Sequence, residues 1–257
     1  MENHLRVLSY NIHKGFSLDR RFVLSAIKEA IRQTDAHLVF LQEVVGENKK
    51  HSKKVAAWPE APPLEFLADS IWQHFAYGKN AVYTEGHHGN AILSKHPILS
   101  WENIDISNNR FERRGLLHAT IEPLSPGQKP LHAICVHLDL FESGRTLQAE
   151  RIVKRIHDHV PDDCPLIIAG DFNDWRESVS MVFEQELGTK EVFMALHGKH
   201  AASFPAWFPF LRLDRIYLRG FKGIDARCFT QAPWDTLSDH GAIFAELESE
   251  TDAVGGS

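Results

Sequence analysis

The sequence holds only three cysteines, Cys135, Cys164 and Cys228, far apart and without a C-x-x-C pair. That excludes a disulfide framework and a thiolate metal site, and a reducing compartment is the expected home. No apolar run approaches the ~18 residues of a membrane span. The opening MENHLRVLSY also lacks a basic segment followed by an apolar one, so the reading is a soluble, cytoplasmic protein. Lys and Arg number 28 against 34 Asp and Glu, a formal net charge of −6. There is therefore no global basic field for a polyanion, and any such binding rests on a local patch. A G-x-S-x-G elbow, internal repeats and low-complexity segments are missing too, which removes a serine nucleophile of that type and a solenoid.

What remains is an ordinary globular composition, 43% hydrophobic and 24% charged over 257 residues. Composition shifts only near the end, so the expectation is one domain over residues 1–248 and a small, polar, fraying tail over 249–257. Apolar spacing predicts strands at Leu5–Asn11 and His37–Glu43, with helices at Arg21–Gln33 and Leu64–His74. Short runs at Asn90–Ser94, Arg114–Glu122 and Leu131–Leu140, divided by Pro, Gly and Asn, suggest antiparallel neighbours. A helix follows over Ser143–Val160 with Ser143 as its cap, then a buried strand in PLIIAGDFN and strands at Leu213–Gly220 and His240–Leu247. The pattern is a mixed α/β domain, two layers of sheet under outer helices.

The segment LIIAGDFNDW (Leu166–Trp175) can be read in two ways. Gly170 can take positive φ while Asp171 and Asn173 bond their own backbone, which makes a turn. Alternatively, both side chains sit at a strand's carboxyl end, where α/β sheets place ligands. Other strands repeat the theme: LSYN ends on Asn11, LVFLQE on Glu43 and VHLD on His137 and Asp139, while LDRIY begins at Asp214 and LSDHGAIF offers Ser238, Asp239 and His240. If these termini converge they form one pocket of carboxylates, amides and two imidazoles. Oxygen donors without thiolates suit Mg²⁺ or Mn²⁺.

The order YN, QE, GNAILS, HLD, GDFND, LDRIY and SDH resembles the endonuclease/exonuclease/phosphatase superfamily, from Leu5 to about Leu247. NIHKGF, EGHHGNA and AGDFNDW are shared with bacterial hydrolases of that superfamily. The resemblance implies a deoxyribonuclease-I-like four-layer α/β sandwich, with two mixed, mainly antiparallel sheets flanked by helices. It makes Glu43 the main metal-binding carboxylate, with Asn11 and Asp239 near the same ion. Asp171 would orient or deprotonate water, and Asn173 would hold that water or a phosphate oxygen. His240, oriented by Asp214, would contact the phosphate, and His137 another phosphoryl oxygen or the leaving group. In one departure, deoxyribonuclease I carries a glutamate in the strand before its central histidine, where this chain has Gly89 and Asn90. His137 then need not be a general acid, Asn90 becomes the expected phosphate contact, and His87 and His88 either bind substrate or line the loop.

A binuclear metallophosphatase is excluded, since Asp35–His37 is the sole D-x-H and no G-N-H-(D/E) or G-H-x-H occurs. The expectation is a Mg²⁺-dependent phosphoesterase, preferably a diesterase, acting as a monomer on a small or lipid-like phosphate. A DNA endonuclease or exonuclease is the alternative, supported by Lys49, Lys50, Lys53, Lys54 and RFERRG (Arg110–Gly115), with Arg114 reaching a phosphate. A non-catalytic scaffold is the second alternative. SFPAWFPFL (Ser203–Leu211) is either a loop packed into the core or an apolar surface for an amphiphilic substrate or a membrane.

Overall fold

The computed structural model describes residues 4–109 and 112–250. In chain order the first part comprises β1 (His4–Asn11), α1 (Leu24–Gln33), β2 (Leu38–Asn48), α2 (His51–Lys54), α3 (Pro63–Ala68), β3 (His74–Tyr83), β4 (Gly86–Ser94), β5 (Ile98–Asp105), β6 (Gly115–Ile121) and β7 (Leu131–His137). The remainder comprises α4 (Glu142–His159), β8 (Leu166–Asp171), α5 (Ser178–Leu187), β9 (Lys190–Glu191), α6 (Val192–His197), β10 (Asp214–Arg219), β11 (Phe221–Phe229) and β12 (Ala242–Ser249).

Alternation along the central strands dictates the layers. In β1, Leu5 and Val7 point one way and Leu8 and Tyr10 the other; in β8, Ile167 and Ala169 oppose Leu166 and Ile168. Each such strand is apolar on both faces, so it must be covered on both. Two six-stranded sheets result, ordered β11-β12-β1-β2-β4-β3 and β5-β6-β7-β8-β10-β9. Their facing sides share one core, with Val7, Phe40 and Ile243 meeting Ala133, Ile167 and Ile216. Helices α1 and α3 cover the outside of the first sheet, and α4 and α5 that of the second. This is the expected four-layer sandwich, mainly antiparallel, with parallel pairs at β1–β2 and β7–β8.

Local expectations meet corrections at three places. The 64–74 helix stops at Ala68, because Asp69 takes a left-handed φ of 50°. Ser143 does not cap α4: the helix begins at Glu142 after an extended Phe141 that makes no side-chain cap bond. The last strand runs to Ser249, so the segment expected as tail begins inside it, and residues 251–257 lie outside the described ones. Cys135, Cys164 and Cys228 are free, and among the described residues no helix is long and apolar enough to cross a membrane.

Register decides what meets at the sandwich edge. Asp171 is paired with His137 on β7 and with Asp214 on β10, so three neighbouring strands place these side chains in one row. The inward-facing set of β8 ends on Asp171, and that of β7 on His137. Gly170 holds this junction: at φ 152° its Cβ would stand 1.9 Å from the Val136 carbonyl oxygen. Gly170→Ala is expected to cost about 1–3 kcal/mol by overpacking. Urea unfolding checks this, and an unchanged midpoint would mean that β7 and β8 can part here without penalty.

Candidate active site

The polar ends of the inter-sheet core open into a cavity of about 310 Å³ lined in part by Asn11, Glu43, Arg114, His137, Asp171, Asn173, Asp239 and His240. Strict alternation would aim Glu43 at the helix side with Val39 and Leu41. A β-bulge prevents this: pairing with β4 slips between Leu41 and Val44, and Glu43 takes φ 56°. Bulges re-aim side chains in this way. Asn173 also adopts a left-handed φ, 50°, which Asn tolerates. The GDFN segment is thus a turn and a pocket wall at once.

Asp171, 1% exposed, is the hub. Its Oδ2 accepts from the Asn11 amide at 3.1 Å and lies 3.4 Å from His137 Nε2 and 3.6 Å from His240 Nε2. Its Oδ1 accepts from the Asn173 backbone N–H at 3.0 Å. Burial pushes its carboxyl up, His240 pulls it down and Asp214 raises it again, leaving it at about 6. His240 Nδ1 donates to Asp214 Oδ2 at 3.0 Å, an oxygen that also accepts from the Ser203 hydroxyl. Burial alone would depress His240, but the charges of Asp214 and Asp171 outweigh it and raise it to about 10. An imidazolium held between two carboxylates follows. The ring of Phe204 covers it, centroids 4.9 Å apart.

His137 is the opposite case. Its Nδ1 faces Arg114 Nη1 at 3.4 Å, and because guanidinium only donates, Nδ1 accepts and the proton sits on Nε2, toward Asp171. Burial, then Arg114, hold this imidazole well below its usual range, so it is neutral. Arg114 is oriented by Glu112 at 2.6 Å and Asp139 at 3.5 Å, and Asp139 is fixed in turn by the Asn108 amide at 2.7 Å.

Glu43 Oε2 is buried without a hydrogen bond; its charge partner is Lys14 Nζ at 3.4 Å. Burial would raise this carboxyl, but Lys14 leads the positive neighbours that bring it below its ordinary value. Asp239 Oδ1 accepts from Ser238 at 3.2 Å and lies 3.9 Å from His13 Nδ1. The Ser238 hydroxyl also bonds the Asn11 carbonyl, tying the SDH loop to β1. Glu43 therefore offers a carboxylate oxygen held only by the Lys14 charge, on the pocket wall shared with Asn11 and Asp239, a fit for a hard divalent cation. Asp171, Asp214 and His240 also lie within 4.8 Å of one another, but Nδ1 of that histidine is already spent on Asp214. We read them as a charge-linked chain, hydrogen-bonded at Asp214 and ion-paired at Asp171.

One expectation changes. Asn90 is 1% exposed and spends its amide on the Gly115 and Cys135 carbonyls, so it bridges the sheets below the pocket and is not a phosphate contact. A glutamate in place of Gly89 is excluded sterically, since any Cβ there would stand 1.8 Å from the Gly78 carbonyl oxygen. His88 stands near Glu43, kept neutral at about 4 by burial and by Lys14, while His87 bonds Tyr77 at 3.0 Å. Arg110 and Phe111 of RFERRG lie outside the described residues. Lys50, Lys53 and Lys54 are exposed on or beside α2. The 203–211 loop does both: Ser203 and Ala206 are fully buried, while Trp207, Phe208 and Phe210 are 65%, 65% and 61% exposed. Ser203, Lys14, Glu112 and Asn108 serve the site without a signal of their own, because none stands at a strand end with the other polar groups.

With this geometry in view, a family model for the endonuclease/exonuclease/phosphatase family matches residues 8–240. The chain belongs to that family. It is 44% identical over 243 residues to an uncharacterised protein, YbhP, of Escherichia coli K12, spanning 94% of this chain and 95% of that one. Among solved structures, an endonuclease/exonuclease/phosphatase from Beutenbergia cavernae superposes with a TM-score of 0.71 at 19% identity, covering 96% of this chain and 72% of that one. TDP2 of D. rerio, complexed with single-strand DNA product, gives 0.70 at 20% identity, covering 96% and 99%. These structural likenesses show the deoxyribonuclease-I-like fold of the family.

Proposed function

We propose that this member of the family is a Mg²⁺-dependent phosphodiesterase acting on a small or lipid-like phosphoester, as a monomer. The observation that carries the reading is the buried Asp214–His240–Asp171 chain facing, across one pocket, a Glu43 oxygen without a hydrogen bond. Glu43, Asn11 and Asp239 would hold the cation, which supplies charge neutralisation for the phosphate when bound. Asp171, poised near 6, takes the proton of an attacking water whose oxygen bonds to phosphorus in line as the ester P–O bond breaks. Asn173 orients that water. The charged His240 donates to a phosphoryl oxygen, and neutral His137 donates through Nε2 to another. Arg114 keeps His137 in that tautomer and adds positive charge at the rim.

The substrate reading rests on the walls. Phe204, Leu211, Leu213, Trp175 and Leu140 give the cavity an apolar side, continuous with the exposed Trp207, Phe208 and Phe210. The loop is braced at its base: Leu211 and Phe204 exchange backbone bonds, and Ala206 N–H donates to the Asp239 carbonyl. Such a surface suits an amphiphilic ester or contact with a membrane. It also suits stacked bases, so single-stranded DNA is the second reading, consistent with the product named for the TDP2 structure. Parallel assays with Mg²⁺ on phospholipids, inositol phosphates, plasmid DNA and abasic-site DNA decide. Turnover of a phospholipid or small diester is expected, and efficient plasmid nicking would overturn the preference.

A further inference from the structure

The turn after β1 is built against backbone preference. His13 and Lys14 both have positive φ, 43° and 59°, followed by Gly15 at 80°. Two successive non-glycine residues in this region are costly and persist only where the surroundings impose them. Here the Asn11 side chain accepts from His13 N–H at 3.1 Å, and Gly15 N–H donates to the Ile12 carbonyl at 2.8 Å. The same Asn11 side chain donates to Asp171, so the turn is bolted to the hub of the site. The result is a cation laid on Glu43: Lys14 Nζ, 3.4 Å from an oxygen that has no hydrogen bond.

We propose that Lys14 is a resident counter-ion that changes partner, pairing with Glu43 until a divalent cation takes that carboxylate and then with a phosphoryl oxygen of the substrate. The proposal rests on the metal-dependent reading above. Three observations support it. Among the described residues Lys14 is the cation within ion-pair distance of Glu43, and neither His88 nor His137 comes so close. Of the other cations at the pocket, Arg114 is engaged by Glu112 and Asp139, and His240 by Asp214 and Asp171. The Lys14 side chain is 42% exposed on a flexible four-carbon stem, so repulsion from an incoming cation can turn it toward the pocket mouth. The strained backbone fixes where the stem starts, and the stem does the moving.

The test uses the full chain and does not depend on turnover. Mg²⁺ is titrated calorimetrically into wild type, Lys14→Met and Lys14→Arg, with thermal unfolding confirming that each is folded. Removing the competing charge should tighten Mg²⁺ binding about fivefold, the order of one unit charge at close range in a water-like dielectric. Inorganic phosphate titrated into the Mg²⁺-loaded protein should bind about fivefold more weakly to Lys14→Met. Lys14→Arg should stay near wild type in both. Lys14→Met binding Mg²⁺ no more tightly than wild type, or binding phosphate equally well, would overturn the proposal while leaving the phosphoesterase reading intact. A wild-type protein that binds no divalent cation would overturn that reading and this one with it.

Discussion

Asp171→Asn lowers kcat by about 10²–10⁴, the range for a lost general base, yet does not destabilise the protein. Both halves follow from one buried carboxylate. Burial raises its pKa, His240 opposes and Asp214 adds, and the balance of about 6 lies above the ordinary 3.8. The folded state therefore prefers the protonated form. The stability this confers is complete below the unfolded value and is lost as pH rises through about 6, so at pH 8 the wild type carries the penalty of a buried charge. Asparagine has no such charge. Its gain is reduced because His240 loses one of two carboxylates, and the expectation is a Tm at pH 8 equal to or above wild type. Activity runs the other way: wild-type kcat/KM rises as Asp171 deprotonates through about pH 6. Calorimetric scans and a pH–rate profile check both. A variant that keeps wild-type turnover refutes the role, and one that melts well below wild type refutes the energetic account.

His240→Gln costs about 10²–10³ in kcat, as for a missing donor to developing negative charge, and flattens the alkaline stability profile. The folded imidazolium is raised from an ordinary 6.5 to about 10, because Asp214 and Asp171 outweigh the burial that alone would depress it. Its contribution is fully present below pH 6.5 and is lost as pH rises through about 10. Wild-type Tm should therefore fall between pH 7 and 10, by about 2–4 °C for each kcal/mol. The glutamine variant should show a shallow slope over that window, and so should Asp214→Asn, which removes the dominant partner. Parallel slopes in wild type and both variants would show that His240 is neutral in the folded protein.

The layers and the site core were legible because strand periodicity and strand-end chemistry coincide. Leu5, Val7 and Asn11 lie two or four residues apart on one face, and Ile167, Ala169 and Asp171 repeat the pattern. Elements with one poor face were illegible. In β5, ILSWENID is mostly exposed, and β3 mixes Gly78, Lys79 and Asn80 into an edge strand, so neither shows a clean alternation. Helix α5 starts after a left-handed Glu177 whose side chain makes no cap bond, and its first N–H groups, of Ser178 and Val179, go instead to the carboxylate of Asp174, outside the usual cap position. Glu43 could be named but not aimed, since its direction comes from a bulge against β4. Asn90 looked functional because it stands where deoxyribonuclease I has its glutamate; its bonds to Gly115 and Cys135 reach the other sheet and exist only once the sheets are stacked. Lys14 was hidden for another reason: it stands 29 positions before the carboxylate it meets, which only the pairing of β1 with β2 brings beside it.

Strand order adds a consequence for biosynthesis. β12 lies between β11 and β1, so the twelfth strand of the described chain is wedged between the first and the eleventh. A ribosome-bound chain can complete the second sheet, with His137, Asp171 and Asp214 in their row, while β1 still waits with an open edge. Asp239 and His240 arrive at the foot of that final wedge, so the pocket closes only when it is driven home. Until β12 has emerged and docked, a nascent chain of this fold has neither Asp239 nor His240 in place beside Asp171, which makes that strand a safety catch on the pocket.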